Sequence, residues 1–378
     1  MTIKNTITNP FSILSYLGPE YFCDRQKETQ DLRNALYNGR NVTLSSPRRM
    51  GKTGLIQHLF QQIPAKEAHC FYVDLYHTKN MSDFTKAFAE AVLSQRMTPF
   101  IERVGKEIMQ FFGSVRPVFT PDPITGSMQC TVDIQPRNEE MTLQQIFAYL
   151  EQSKQRCYVA FDEFQEIADY SDGKAEAILR TYIQQLKNVQ FIFAGSKRHI
   201  MTQMFLSPKR PFFQSTQLMS IGAIDEKLYY TFASKHFELH NQHMDETTFH
   251  ELYSLVNGHT WYMQALLNKI YQNGSMEISN DDMLLALNQW IEENTPAYHT
   301  YCRLITDRQF DVMRAVAKEG VVTEPGSSAF LQKYHLGAYS TVRSAILALD
   351  EKELLYCDTD GNYSVYDRFF GLWLQRQY

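Results

Sequence analysis

The sequence predicts a parallel α/β sheet with helices on both faces, followed by a helical segment and a C-terminal module of helices and a hairpin. Three observations carry this fold class. Short apolar strands alternate with stretches of helical periodicity from Val42 to Ala194, the signature of a parallel sheet buried on both sides. From about residue 225 to 293 the pattern becomes helical throughout. Near the end, two apolar runs flank Asp358-Thr359-Asp360-Gly361-Asn362, which reads as a hairpin turn.

Taken in order, Asn9-Pro10-Phe11 is turn-like, and an amphipathic helix runs from about residue 26 through Leu36. Val42-Thr43-Leu44 forms a strand, and Leu55-Ile56-Gln57-His58-Leu59-Phe60 follows at helical spacing. Residues 69–75 read as a second buried strand. Residues 82–93 place Phe84, Ala87, Phe88 and Ala91 on one helical face. The α/β rhythm breaks at 112–138, where Val115–Phe119 and Cys130–Ile134 look like a β-hairpin insertion around Pro121-Asp122-Pro123-Ile124-Thr125-Gly126. This insertion is either a partner surface or an edge of the core sheet. Residues 143–150 form a helix, 157–161 and 189–194 two further buried strands, and 174–186 the helix between them. From about residue 306 the chain is helix-rich before its hairpin, which suggests a winged helix. The expected domains are a sheet core at 1–222, a small helical bundle at 223–300 and a winged helix at 301–378.

At 378 residues the chain is long enough for two or three domains. Its 44% hydrophobic and 21% charged content is ordinary for a soluble globular protein. A net charge of -5 does not advertise nucleic-acid binding. The six cysteines form no C-x-x-C pair and none sits at metal-ligand spacing with histidine, which fits a reduced, cytoplasmic setting. Met1-Thr2-Ile3-Lys4-Asn5-Thr6 has no apolar signal core. No run approaches the ~18–20 apolar residues of a membrane span. The 22 Tyr and 25 Phe read as a well-filled core.

The chemistry starts at Ser46-Pro47-Arg48-Arg49-Met50-Gly51-Lys52-Thr53-Gly54, between a strand and a helix. That context is what a phosphate-binding loop requires. Consecutive backbone N–H groups would wrap an anionic phosphate, and the helix N-terminus adds its positive dipole end. Lys52 would reach the β- and γ-phosphates of ATP, and the Thr53 hydroxyl would ligate Mg²⁺. Ser46 stands where the motif G-x-x-x-x-G-K-[ST] has its first glycine. Its Cβ resists positive φ, so the loop is expected to enter by a different turn. The strand at 157–161 ends in Asp162-Glu163. Asp162 would hold Mg²⁺ through water, and Glu163 would polarise the attacking water. The following strand ends in Ala194-Gly195-Ser196, where the Ser196 hydroxyl can bond the γ-phosphate or that water.

Together these segments resemble the archaeal-type ATPases of the AAA+/STAND group. The resemblance is carried by Asn9-Pro10-Phe11 with Tyr21-Phe22-Cys23-Asp24-Arg25, by the Arg-Arg loop ending in Gly51-Lys52-Thr53, by Phe161-Asp162-Glu163-Phe164-Gln165, and by Phe191–Ser196. The ending Val365-Tyr366-Asp367-Arg368-Phe369-Phe370-Gly371-Leu372-Trp373-Leu374 is similar to that family's terminal segment. The resemblance implies an AAA+ core, a helical lid and a C-terminal winged helix. It implies that Phe22 and Arg25 line the adenine side of the pocket. The family pattern there is Phe-x-Gly-Arg-Glu, and Asp24 and Gln26 replace its glycine and glutamate. The lid's Gly-x-Pro reads Gly258-His259-Thr260 here, with His259 either facing the phosphates or starting a helix. AAA+ enzymes often add an arginine from a neighbouring subunit. Arg210 is the candidate, with Arg198 and Arg180 as alternatives.

A winged helix suggests DNA, with Ser340-Thr341-Val342-Arg343-Ser344-Ala345-Ile346 as the reading helix. Acidic residues outnumber basic ones from Asp307 onward, so packing or protein contact is the preferred use of that module. The function read from the sequence is an Mg²⁺-dependent ATPase acting as a conformational switch, with a DNA-associated ATPase and a non-hydrolysing ATP-binding interaction protein as alternatives. The expected partners are ATP and ADP with a protein or a second copy of the chain, and no membrane.

Overall fold

The computed structural model describes residues 9–94, 115–121, 128–134, 139–171, 173–358 and 360–378. The chain divides into two compact units, Leu14–Ile224 and the segment ending at Ile13 together with Asp225–Tyr378.

The Leu14–Ile224 unit is built on strands β1 (Val42–Ser45), β2 (Ala68–Asp74), β3 (Val115–Pro121), β4 (Met128–Ile134), β5 (Arg156–Asp162), β6 (Val189–Gly195) and β7 (Gln217–Ser220). Five of them form one parallel sheet in the order β2-β5-β6-β1-β7. Its register pairs Asp74 with Asp162, Phe161 with Phe193 and Ser45 with Gly195. The carboxyl ends of β1, β5 and β6 therefore share one sheet edge, the edge at which such sheets bind ligands.

Side chains alternate across the strands, and both faces are buried. On one face Phe71, Val159, Phe161, Phe191 and Phe193 pack against Phe84, Phe88, Phe147 and Phe205 of the covering helices. The rings of Phe161 and Phe191 lie nearly parallel, 5.9 Å apart. Burying each such ring stabilises the fold by about 1.5–3 kcal/mol. On the other face Val42, Leu44, Tyr158, Ala160 and Ile192 meet Leu32, Leu36, Leu55, Ile56 and Leu59. Most of the described phenylalanines of this unit are core residues, while Tyr37 and Tyr76 are exposed.

β3 and β4 pair antiparallel, Val115 opposite Ile134, as a two-stranded sheet separate from the five-stranded one. The insertion is a hairpin and not an edge of the core sheet. The turn at Asp122–Gly126 lies outside the described residues. A strand and a helix add to the sequence reading. β7 is a four-residue edge strand beside β1, and a helix Arg198–Leu206 follows Ser196 directly.

In the other unit four helices, Glu226–Glu238, Glu246–Leu255, Thr260–Asn273 and Asn280–Arg303, are joined by a two-residue bridge between β8 (His243–Met244) and β9 (Glu277–Ile278). Phe11 packs here, 4.9 Å from Phe237, and Asn9 Nδ2 donates to Asn268 O at 3.0 Å. The C-terminal module has helices Asp307–Glu319, Ser328–Lys333 and Tyr339–Glu351, then β10 (Leu355–Cys357) antiparallel to β11 (Tyr363–Val365). The turn is shaped by Asp358, whose carboxylate accepts the N–H groups of Asp360 and Asn362. A last helix, Arg368–Gln377, joins the module to the bundle: Arg368 Nε donates to Leu255 O at 2.9 Å, and Phe369 packs on Trp261 and Trp290.

Candidate active site

β1 ends at Ser45, and residues 46–51 turn the chain into the helix Lys52–Gln62. The left-handed positions of this turn are Arg49 (φ +64) and Gly51 (φ +94). Glycine meets the second at no steric cost, whereas an L-residue such as Arg49 bears roughly 1–2 kcal/mol. Ser46 has no positive φ, so its Cβ does not obstruct the loop. It is buried, and its hydroxyl donates to Pro47 O at 3.1 Å.

Lys52 follows the turn with only 5% of its surface exposed. Its Nζ donates to the carbonyl oxygens of Ser46 (3.0 Å) and Pro47 (3.2 Å) and to Ser46 Oγ (3.3 Å). Burial lowers its pKa to about 8; the Glu163 and Asp162 carboxylates oppose that shift and Arg48 adds to it. The next residue, Thr53, donates from Oγ1 to Asp162 Oδ2 at 2.5 Å. The same oxygen accepts the Tyr72 hydroxyl at 2.8 Å, and Asp162 Oδ1 accepts the Glu163 N–H at 3.0 Å. Burial raises the Asp162 pKa, against the two hydroxyl bonds that favour its charged form. Burial and the Asp162 charge push the Tyr72 phenol up, so it stays a donor.

Glu163 leaves β5 in a left-handed conformation, φ +52, and caps a 3₁₀ turn at Phe164–Asp169. This turn aims its carboxylate at β6. Glu163 Oε2 accepts the Ser196 hydroxyl at 2.8 Å and Gln165 Nε2 at 2.5 Å. Five sequence-predicted residues, Lys52, Thr53, Asp162, Glu163 and Ser196, thus converge on one sheet edge.

The other expected residues fall around or away from this group. Arg25 is buried, and its guanidinium donates to Met50 O (3.3 Å) and Gly222 O (2.7 Å) and pairs with Glu28 (2.8 Å). It braces the loop from behind. Phe22 lies against Gly54, 3.4 Å from where a Cβ would stand there, and stacks on His58 with centroids 4.1 Å apart. Arg48 is half-buried and Arg49 exposed. Arg210 is not with the carboxylates; it forms a close ion pair with the buried Glu176 at the start of the helix Ala175–Ile183. In the other unit, His259 occupies the N-cap of the helix Thr260–Asn273.

Two residues of the site escaped the sequence reading. Tyr72 lies in an apolar strand, and only its register beside Ala160 brings its hydroxyl to Asp162. Gln165 is two residues beyond Glu163 and fully buried; its spacing was visible but its direction was not.

A buried ammonium beside a glycine-capped helix N-terminus suits a polyphosphate. Thr53 Oγ1 and Asp162 Oδ2 are hard oxygen donors, and among the described residues no three His, Cys, Asp or Glu side chains form a metal cage. That donor set fits Mg²⁺, which is bound through one or two carboxylates plus substrate phosphates.

Comparison with known proteins bears on the family and the fold. A family model described as "ATPase domain predominantly from Archaea" matches residues 22–266, and one described as "Probable winged helix domain" matches 296–376. No curated protein sequence matches the chain. Among solved structures, the fold is similar to the Walker-type ATPase PABY2304 of Pyrococcus abyssi, at 16% identity over 97% of this chain and 99% of that one, TM-score 0.66. It is also similar to the Aeropyrum pernix ORC1 protein in complex with DNA, at 14% identity over 98% and 97% of the two chains, TM-score 0.54. The Aeropyrum pernix ORC2 protein, in its ADPNP-ADP complexes, matches at 14% identity over 97% and 98%, TM-score 0.54. With the first family model spanning well over half its length, the chain belongs to the family of ATPase domains found predominantly in Archaea, and is a P-loop ATPase.

Proposed function

We propose that this protein is a cytoplasmic, Mg²⁺-dependent ATPase whose hydrolysis cycle switches the chain between two arrangements. The observation that carries the reading is the convergence of Thr53 on Asp162 and of Ser196 on Glu163 at one sheet edge, beside Lys52. In this reading the loop Pro47–Gly54 and Lys52 bind the β- and γ-phosphates. Thr53 and Asp162 would hold Mg²⁺, which when bound neutralises charge on the phosphates. Glu163 accepts a hydrogen bond from the attacking water, and Ser196 orients the γ-phosphate or that water. Phe22 and Arg25 support the adenine side. Arg210 acts as a trans-arginine only if its pair with Glu176 opens.

The domain reading is a sheet core at 1–222, a helical lid at 223–300 and a winged helix at 301–378. With a lid and a winged helix behind the site, a change of shape is the expected product of hydrolysis. The winged helix also supports a second reading as a DNA-associated ATPase. The exposed side of the helix Tyr339–Glu351 offers Arg343 as its single cation, together with Ser340, Ser344, Leu347, Asp350 and Glu351. Phosphate contacts supply most non-specific affinity, and this side is poor in them.

The test is Glu163→Gln. Nucleotide binding is expected to persist while turnover falls at least about 100-fold, in line with the ~10²–10⁴-fold typical of a general base. A variant that turns over at the wild-type rate removes Glu163 from the reaction. Duplex binding with a steep salt dependence, lost in Arg343→Ala, would bring the DNA reading forward.

A further inference from the structure

Glu163 is held by a closed ring of hydrogen bonds. Gln165 Oε1 accepts the backbone N–H of Ser196 at 3.2 Å. Gln165 Nε2 donates to Glu163 Oε2 at 2.5 Å, and the Ser196 hydroxyl donates to the same oxygen at 2.8 Å. The second proton of the Gln165 amide goes to Glu166 Oε1 at 3.1 Å. Gln165 is 0% exposed, so no water competes for these groups.

The ring fixes the direction of the amide. A flipped Gln165 would turn its oxygen toward two carboxylate oxygens and its NH₂ toward the Ser196 N–H, losing three bonds and gaining repulsion. The backbone at Gly195 is shaped for this amide as well. A Cβ there would stand 2.5 Å from Gln165 Oε1 and 2.5 Å from Met201 Sδ, closer than atoms approach. Only glycine lets the amide reach the end of β6.

We propose that Gln165 is a positioning residue for hydrolysis: it ties Glu163 by Oε2 to the end of β6, so that Oε1 is the oxygen presented to the attacking water. The inference rests on the hydrolytic reading of Glu163 and deepens it. Two donors on Oε2 occupy the lone pairs on that side, which leaves Oε1 as the accepting atom. The Ser196 hydroxyl has one proton, so when it turns to a phosphate oxygen it must release Glu163. Gln165 has no such alternative and keeps the carboxylate in place through that exchange. Preorganisation of this kind acts on the chemical step and leaves ground-state binding of the nucleotide alone.

The experiment compares the full-length wild type with Gln165→Ala, Gln165→Glu and Gly195→Ala. It measures steady-state ATP turnover between pH 6 and 8.5, affinity for a non-hydrolysable ATP analogue by calorimetry, and thermal midpoints. In Gln165→Ala, kcat is expected to fall about 10- to 100-fold, with KM and analogue affinity within about two-fold. Gly195→Ala is expected to lower kcat in the same direction by crowding the amide. Gln165→Glu carries the discriminating signature. Its introduced carboxyl donates to Glu163 only when protonated, so its rate relative to wild type rises as the pH falls. A purely packing role would lower kcat, affinity and thermal midpoint together, with no such pH trend, and that result overturns the proposal. Wild-type turnover with kcat unchanged in Gln165→Ala also overturns it, and leaves the hydrolytic reading intact. A wild type that binds the analogue and never turns over refutes the hydrolytic reading itself and the inference with it.

Discussion

Nucleotide binding should draw a proton from solution at pH 8, and Lys52 is the group that takes it. Its ammonium is enclosed by the loop and donates to the Ser46 and Pro47 carbonyls, and burial lowers its pKa to about 8 from the usual 10.5. In the free protein about half the molecules then carry a neutral Lys52 at pH 8, and about a tenth at pH 7. An anionic phosphate oxygen about 4 Å from the ammonium contributes ~4 kcal/mol at the effective dielectric of such a site. That attraction lifts the pKa by about three, back to full protonation. Binding a non-hydrolysable ATP analogue should therefore take up about 0.5 proton per site at pH 8 and about 0.1 at pH 7. The sign follows from a lowered pKa. The fold prefers the neutral form, so affinity is level below about pH 7.5 and falls above about 8 as the charged form is depleted. The assay is isothermal calorimetry in buffers of different ionisation enthalpy, where the slope of apparent enthalpy gives the protons transferred. Lys52→Arg, always charged, should show a slope near zero at both pH values. A zero slope at pH 8 in the wild type, or an equal slope in Lys52→Arg, would refute the assignment.

Two further outcomes are expected. Tyr72→Phe removes one of the two hydroxyls on Asp162 Oδ2; the Mg²⁺ concentration for half-maximal turnover should rise about ten-fold while the rate at saturating Mg²⁺ stays within about three-fold, and an unchanged Mg²⁺ titration would show that Tyr72 does not support this carboxylate. Arg210→Ala leaves Glu176 buried without its cation; because Arg210 is itself 36% exposed, solvent screening limits the cost to roughly 1–2 kcal/mol, a fall of about 2–8 °C in thermal midpoint at pH 7.5. Burial already raises the Glu176 pKa and Arg210 opposes it, so the loss should shrink toward acid pH as Glu176 protonates. A midpoint that does not move at any pH would refute a structural role for the pair.

The strands of the core were legible because each is an apolar run stopped by a polar or glycine residue, as at Phe161-Asp162 and Ala194-Gly195. The convergence of Lys52, Thr53 and Asp162 was legible because phosphate and metal chemistry constrains both residue type and spacing. β7 was not, because Gln217–Ser220 is four residues long and alternates half-buried with exposed. The helix Arg198–Leu206 was hidden by the polar start Lys197-Arg198-His199, which reads as a turn. Tyr72 and Gln165 owe their places beside Asp162 and Glu163 to register and to a left-handed residue at Glu163. Neither has a local signal, since a strand tyrosine and a glutamine after an acidic pair fit many structures. Ser46 was the opposite case. It looked like an obstacle to the loop, but the left-handed step falls at Arg49 and Gly51.

The position of β1 in the sheet also bears on how the chain is made. Val42 pairs with Ile192 and with Gln217, and with nothing nearer in sequence. At ~5–20 residues per second on a ribosome, the roughly 150 residues between β1 and β6 take about 7–30 s to synthesise. For that interval β1 is an apolar strand with both edges unpaired, and the phosphate loop attached to it has no frame. Nucleotide can therefore assist only the last stage of folding, after β6 has docked, and cannot seed it. Refolding should be slow for the length of the chain, as expected when both pairings of β1 are long-range, and a ribosome stalled before Gly195 should present a nascent chain that does not bind ATP.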